Sequence, residues 1–199
     1  MRPWALLGAA LAAAPTRAVA QEFADRGVFV IERGSAETGR VEFAVRRTAG
    51  KGGLLLVAAT RTPAHDLDVA LELSRDSTPV SFQQTETVSG RVVRRISATV
   101  SGHRLSARAS SAELEVAREL PVGWPLLILG DEDYAAFAFL SRPDSGTTRT
   151  VTVIRTSDLT SRAALVDGGV ADSVRIQGRE LPCRRFALHF PDGEERRFW

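Results

Sequence analysis

The chain has 199 residues, of which 26 are Lys or Arg and 24 are Asp or Glu, and it contains one cysteine. This length fits one domain, and a single cysteine excludes an internal disulfide bond or a metal site built from several cysteines. Arg2 and Arg17 stand in the first 20 residues, which hold no acid, so the remainder balances at 24 charges of each sign. Balanced charge gives no argument for nucleic acid or an anionic membrane as partner, because both require a surplus of positive charge.

The first 20 residues are predicted to be an export signal. Met1-Arg2-Pro3 is a short basic start, residues 4–14 are uninterruptedly apolar, and small residues at 18–20 suit cleavage between Ala20 and Gln21. The apolar stretch is too short to cross a bilayer, which needs about 20 residues; a buried core helix is the alternative. We therefore expect a signal peptide over 1–20, one antiparallel β domain over 21–199, no transmembrane segment, and a periplasmic or secreted protein.

Short alternating segments dominate residues 27–120 and are separated by clusters of Gly, Ser, Asp and Pro. Val41, Phe43 and Val45 alternate with more polar residues, a pattern typical of a half-buried strand. The spacing of these segments argues against βαβ units and favours an antiparallel sheet. Strands are predicted at residues 27–33, 40–47, 54–62, 67–73, 80–87, 91–100, 104–110 and 113–120.

The pattern changes after Pro121, where a connector containing Trp124 leads into a short apolar piece at 126–129. Three acids at 131–133 fit the start of a helix, because carboxylates cap free N–H groups there and suit the helix dipole. Residues 131–141 are therefore predicted to form the only substantial helix, although the alternation of Ala and Phe also fits a strand. Further strands are predicted at 149–156, 162–166, 173–178, 181–190 and 194–199, with a turn at residues 167–169.

These elements predict a mainly β fold: a strongly curved antiparallel sheet or open half-barrel with one plug helix near 131–141. The helix has almost no polar face, which is typical of a buried helix. Either it completes an ordinary core, or helix and sheet leave an apolar cavity for a hydrophobic ligand such as an acyl chain. The residues expected to border that cavity are Trp124, Tyr134, Phe137, Phe139 and Leu140.

No residue pattern indicates catalysis, a cofactor or a metal. His65 and Asp66 lie near Ser74 in sequence, but no Gly-x-Ser-x-Gly nucleophile elbow exists and these residues are typical of turns. His103 and His189 lack a second histidine at metal-ligand spacing, so both are interpreted as structural. We expect a protein that is not an enzyme, with no cofactor and no metal site.

Cys183 stands alone although exported proteins normally pair their cysteines. The favoured interpretation is a small buried apolar side chain. A thiol activated by the neighbouring Arg184 and Arg185 is an alternative, since nearby positive charge lowers the pKa of a thiol. An intermolecular disulfide or an incidental free thiol remains open.

Arginine is used in preference to lysine, at 25 residues against one, and often in adjacent pairs. Neighbouring side chains of a strand point to opposite faces. One arginine of each pair could then bind a phosphate or carboxylate headgroup on the concave side, or the pairs could belong to a solvated, ion-paired surface. The pairs lie at residues 46–47, 94–95, 184–185 and 196–197.

The residues at 29–34 and 39–43, Phe-Val-Ile-Glu-Arg-Gly and Gly-Arg-Val-Glu-Phe, resemble the opening of a family of bacterial periplasmic domains with no assigned activity. Residues 120–124 resemble its leucine-proline…tryptophan connector, residues 131–141 its plug helix, and residues 173–199 its final strands. The resemblance covers most of 21–199 and implies a lipoprotein-carrier-like fold, an open β-barrel with an apolar concavity, and no catalytic residues. Similar chains continue past the tryptophan, whereas this one stops at Trp199, so we expect either a truncated sequence or an open sheet edge.

The sequence therefore predicts an exported binding protein that holds a lipid or another hydrophobic ligand in a half-barrel. The alternative is a cell-envelope module that binds a partner protein through a sheet edge or outer face and takes no small-molecule ligand. An exported hydrolase is the third and least supported hypothesis.

Overall fold

The chain forms two β-sheets. The computed structural model describes residues 23–33, 36–48, 52–130, 148–176 and 178–198, and within these ranges the regular structure consists of thirteen strands without a helix. The strands are β1 (Phe23–Arg33), β2 (Ala36–Arg47), β3 (Leu54–Arg61), β4 (Asp66–Leu73), β5 (Pro79–Val88), β6 (Arg91–Ser101), β7 (Arg104–Ser111), β8 (Glu115–Pro121), β9 (Leu126–Leu129), β10 (Arg149–Arg155), β11 (Thr160–Ile176), β12 (Arg179–His189) and β13 (Glu195–Phe198).

Strands β1 to β8 form an eight-stranded antiparallel meander in chain order. The alternation of apolar and polar residues explains why these segments form a sheet. Every second residue of β3 and β4 is buried, and such residues line one face of a sheet. We call the face that carries Leu56 and Leu71 the inner face and the opposite face the outer face. The prediction of a mainly antiparallel β protein is confirmed, and the sheet is open, since β1 and β8 end it without pairing to each other.

Strands β9 to β13 form a second sheet, in the order β13-β12-β11-β10-β9, where one curved sheet was expected. All neighbours in it are antiparallel except β9 and β10, which are parallel. The chain leaves the first sheet after Pro121 and enters the second at Leu126. The four apolar residues of β9 are all buried, as is usual for a strand that is covered on both faces.

Strand β11 corrects one prediction, that of two strands at 162–166 and 173–178 joined by a turn at 167–169. A single strand runs through this segment, and its register with β12 shifts between Asp167 and Val170, which marks a β-bulge. Gly169 has φ +28°, and a Cβ there would lie 2.7 Å from the Phe186 ring. Arg184 donates a 2.7 Å hydrogen bond to the Gly169 carbonyl. Asp and Gly residues thus mark a bulge here rather than a reversal of the chain.

The main core lies between the two sheets. It combines inner-face residues of the meander, among them Phe82 and Leu105, with residues of the second sheet such as Ile128 and Ile154. A second buried cluster occupies the other face of the five-stranded sheet and includes Leu129 and Val153. Strand β9 contributes alternate residues to both clusters, which explains its continuous apolar sequence.

Several predicted features lie outside the described residues. These are the signal peptide at 1–20, the helix at 131–141, and with it the side chains of Tyr134, Phe137, Phe139 and Leu140. Within the described ranges, no helix has the length and apolar character needed to cross a bilayer.

Candidate functional site

A cleft of about 630 Å³ opens at one end of the space between the two sheets. It lies where β4 ends, at the turns that follow β4 and β6, and beside the connector that starts β9. A volume of this size falls within the range of small-molecule pockets. The described residues that line it are Leu71, Leu73, Asp76, Ser77, Thr78, Pro79, Gly102, Trp124, Pro125, Leu126, Leu127, Ile128 and Arg149.

The floor of the cleft is apolar and continuous with the main core. The alternation of β4 places Leu71 and Leu73 on the inner face, and the alternation of β9 places Leu126 and Ile128 opposite them. All four side chains are almost fully buried. Among the described residues, the core cluster occupies the space between the sheets beyond this floor, and the cleft lies at one end of it.

Polar groups form the rim. The turn after β4 is closed by hydrogen bonds from the Ser74 N–H to the Thr78 carbonyl (2.8 Å) and from the Ser77 N–H to the Ser74 carbonyl (3.0 Å). The Ser74 hydroxyl contacts the Asp76 carboxylate. Hydrogen bonds from the Ser74 and then the Thr78 side chains hold the pKa of Asp76 below its ordinary value of 3.8. The rim therefore carries an anionic carboxylate at neutral pH, with the half-buried guanidinium of Arg149 as its cationic group.

Trp124 lines the cleft with 40% of its side chain exposed, and it precedes the cis peptide bond to Pro125. Sequence reasoning placed this residue at a cavity mouth. The other four expected lining residues lie outside the described residues, so the predicted cavity as a whole stays a prediction. Leu71, Leu73 and Leu126 were missed, because their alternation reads as ordinary core and no sequence signal shows where strand ends meet.

His65 and Ser74, which lie near each other in sequence, are not brought together by the fold. His65 lies in the turn before β4 and Ser74 directly after that strand, so about 30 Å of extended chain separates them. Asp68, at the His65 end of the strand, forms a 2.7 Å ion pair with Arg61. The Nδ1 atom of His103 lies 3.3 Å from the carbonyl oxygen of Val122. His65 and Ser74 therefore lie at opposite ends of β4, and the Ser74 hydroxyl contacts Asp76 instead of His65.

His189 lies between two carboxylates on the five-stranded sheet. Its Nε2 atom is 2.8 Å from Asp167 and its Nδ1 atom is 3.6 Å from Glu195. Glu195 also contacts Arg197, whose guanidinium lowers the pKa of that carboxyl. The carboxylates face opposite nitrogens of the ring and do not converge on one point. In the described part of the chain, no group of three potential ligands could hold a metal ion.

Cys183 is half-buried in β12, opposite Asp172 of β11. The expected fully buried thiol is thus partly accessible. Arg184 and Arg185 are engaged elsewhere, by the Gly169 carbonyl and by Asp172 at 3.3 Å.

Arg94 is an inward-facing arginine that joins the two sheets. From β6, its guanidinium donates hydrogen bonds to the carbonyl oxygens of Thr156 (2.9 Å) and Ser157 (2.6 Å), in the turn after β10. A guanidinium held in this way is occupied by the protein itself. Arg94 is therefore explained as a tether between sheets and not as a site for a ligand headgroup.

Arg94→Ala is expected to lower the free energy of unfolding by about 2 kcal/mol, because hydrogen bonds from a charged group are among the stronger ones. Urea unfolding followed by circular dichroism measures this loss. Arg95→Ala is the matched control, since Arg95 is exposed on the same strand, and its change should stay within about 0.5 kcal/mol. Equal losses in the two variants would contradict the assignment of Arg94 as a tether.

Comparisons of the chain with protein-family models, curated proteins and solved structures find no match.

Proposed function

We propose that the chain is an exported binding protein that holds a lipid or another hydrophobic ligand at the end of an open half-barrel. The observation that carries this proposal is the cleft of about 630 Å³ between the sheets, with its leucine and isoleucine floor and Trp124 at its side. Export rests on the signal predicted at residues 1–20, and the half-barrel shape on the resemblance to lipoprotein carriers.

The cleft suits an amphipathic ligand better than a wholly apolar one. An acyl chain against Leu71, Leu126 and Ile128 gains about 0.8 kcal/mol for each methylene group removed from water. Its head would then lie at the rim, where Arg149 offers a guanidinium that matches a carboxylate or phosphate. Asp76 sets a limit on this arrangement, because its ionised carboxylate repels an anionic head placed close to it.

A fluorescent fatty acid tests the proposal. The protein should take it up saturably, and Thr78→Trp should weaken binding on the order of ten-fold, because an indole at the rim occupies space that the ligand needs. Glu113→Trp is the control: Glu113 is exposed in the turn after β7, at the opposite end of the meander from the cleft. Circular dichroism establishes that both variants keep the β fold.

Absence of saturable uptake, together with absence of lipid in the mass spectrum of the purified protein, would overturn the proposal. If Thr78→Trp and Glu113→Trp weaken fatty acid binding by the same factor, the ligand binds outside the cleft. Absence of uptake would leave the alternative function, an envelope module that binds a partner protein and takes no small-molecule ligand.

A further inference from the structure

Strand β1 presents an apolar centre at the edge of the eight-stranded sheet. It pairs with β2 on one side, and no described strand pairs with its other side. The exposed fractions of Val28, Phe29 and Val30 are 55%, 42% and 47%. Phe29 stacks on Phe43 of β2, with ring centroids 4.9 Å apart, and still keeps this exposure. An edge of this kind is a template for pairing with another strand.

The other terminal strands differ from β1 in chemistry. Strand β8 carries Glu115, Arg118 and Glu119 along its exposed length, and β13 has four residues, three of them charged. Charges and short length are the usual means by which sheets avoid unwanted pairing. In β9, all residues are buried. Of the described sheet ends, β1 is therefore the one with an exposed apolar centre, at residues 28–30, and its charged residues stand on either side of that centre.

The sequence of β1 is complementary to itself when it is reversed. Residues 25–33 read Asp-Arg-Gly-Val-Phe-Val-Ile-Glu-Arg. Antiparallel pairing about Phe29 brings Val28 opposite Val30 of a second copy, and the register positions of Arg26 and Glu32 face each other. The register positions of Asp25 and Arg33, residues of opposite charge, also face each other. Charge pairs and β-branched pairs directly across two strands are stabilising.

The backbone permits this register over the same nine residues. The irregularity near the start of β1 falls between Phe23 and Asp25, before the self-complementary segment. The shift at Ile31 and Glu32 places the additional residue, Thr38, in β2, so β1 itself continues regularly. The self-complementary segment, residues 25–33, therefore contains no additional residue that would interrupt its pairing with another strand.

We propose that β1 pairs antiparallel with β1 of a second copy of this chain, about a two-fold axis at Phe29, and joins two meanders into one continuous sheet. A two-fold interface uses the same surface on both copies, which explains why a self-complementary strand suits it. The cleft lies at β4, β5 and β9, away from this edge. Loss of ligand binding and loss of the dimer are therefore separate results.

Charge reversal tests the register. Sedimentation velocity over a range of protein concentrations should show a monomer–dimer equilibrium for the unmodified chain. Arg26→Glu or Glu32→Arg alone should raise the dimer dissociation constant on the order of ten-fold, since each places like charges opposite one another twice. The double variant R26E/E32R should restore the original constant. A monomer at all concentrations, or a dimer unaffected by the single reversals, would overturn the proposal.

Cysteine cross-linking tests the position of the axis. In a Cys183→Ser background, Phe29→Cys should form a disulfide-linked dimer on mild oxidation, because residues directly opposite in antiparallel strands have Cβ atoms about 5 Å apart. Leu114→Cys is the control, at a turn residue with a similarly exposed side chain. Equal cross-linking of both variants, or stable capture of a different protein on β1 in place of a second copy, would overturn the proposal.

Discussion

Replacing Phe82 by alanine is expected to lower the free energy of unfolding by about 3–5 kcal/mol, the range for a large aromatic side chain removed from a packed core. Phe82 is 1% exposed and lies on the inner face of β5, in the cluster shared by both sheets. Strand β5 also contacts β9 of the second sheet. The cavity left by the substitution would therefore lie between the two sheets, where neither sheet alone can close it.

Equilibrium urea unfolding, followed by circular dichroism and by tryptophan fluorescence, measures this loss. Because one core draws residues from both sheets, both probes should report a single transition, in the unmodified chain and in Phe82→Ala alike. Gln83→Ala is the matched control, because Gln83 is the next residue of the same strand and its side chain is exposed on the outer face. Two separated transitions would contradict a single domain over residues 21–199, and a loss under about 1 kcal/mol would contradict the packing assigned to Phe82.

The strands of the first sheet could be predicted because their burial has the same period as their sequence. Val41 and Val45 are buried while Glu42 is exposed, and the turns between strands contain residues that favour turns. In such a meander each strand pairs with its sequence neighbour, so local pattern and tertiary pairing agree. The predicted boundaries of β3 to β7 consequently differ from the observed ones by one residue at most.

The second sheet shows where local pattern is insufficient. The bulge at Gly169 contains Asp and Gly, which are equally typical of turns, and only the contacts of Arg184 and Phe186 in β12 distinguish the two. The parallel pairing of β9 with β10 joins segments distant in sequence. Four apolar residues specify burial but not a partner strand, so a separate sheet could not be inferred from them.

The candidate site likewise has one part that could be predicted from the sequence and one part that could not. Trp124 could be predicted to border a cavity because it is a large aromatic residue in a Gly-Trp-Pro connector between predicted strands. The floor of the cleft could not be predicted from the sequence. Leu73 and Leu126 have the pattern of ordinary core residues, and only the fold brings the end of β4 and the start of β9 together. A cleft formed by ordinary core residues at strand ends has no sequence signature of its own.

Gly53→Ala should lower the free energy of unfolding by about 3 kcal/mol, near the upper end for overpacking a well-packed site. A Cβ at this position would lie 2.2 Å from the backbone carbonyl oxygen of Leu73 and 3.0 Å from the Thr48 hydroxyl. A carbonyl in a strand cannot turn aside as a flexible side chain can. Leu54, the next residue, pairs with Leu73 across β3 and β4, so the two strands must separate locally.

Gly90→Ala is the control that separates steric overlap from backbone strain. Gly90 has φ +74° and nothing within 4 Å of a built Cβ, so alanine there carries only the cost of the left-handed conformation, about 1–2 kcal/mol. Leu73 also lines the cleft, so Gly53→Ala should weaken fatty acid binding under conditions where the variant is folded, whereas Gly90→Ala should not. Thermal unfolding and the fluorescence titration provide both measurements. Equal effects of the two substitutions would contradict the close contact between Gly53 and Leu73, and with it the position of the cleft floor.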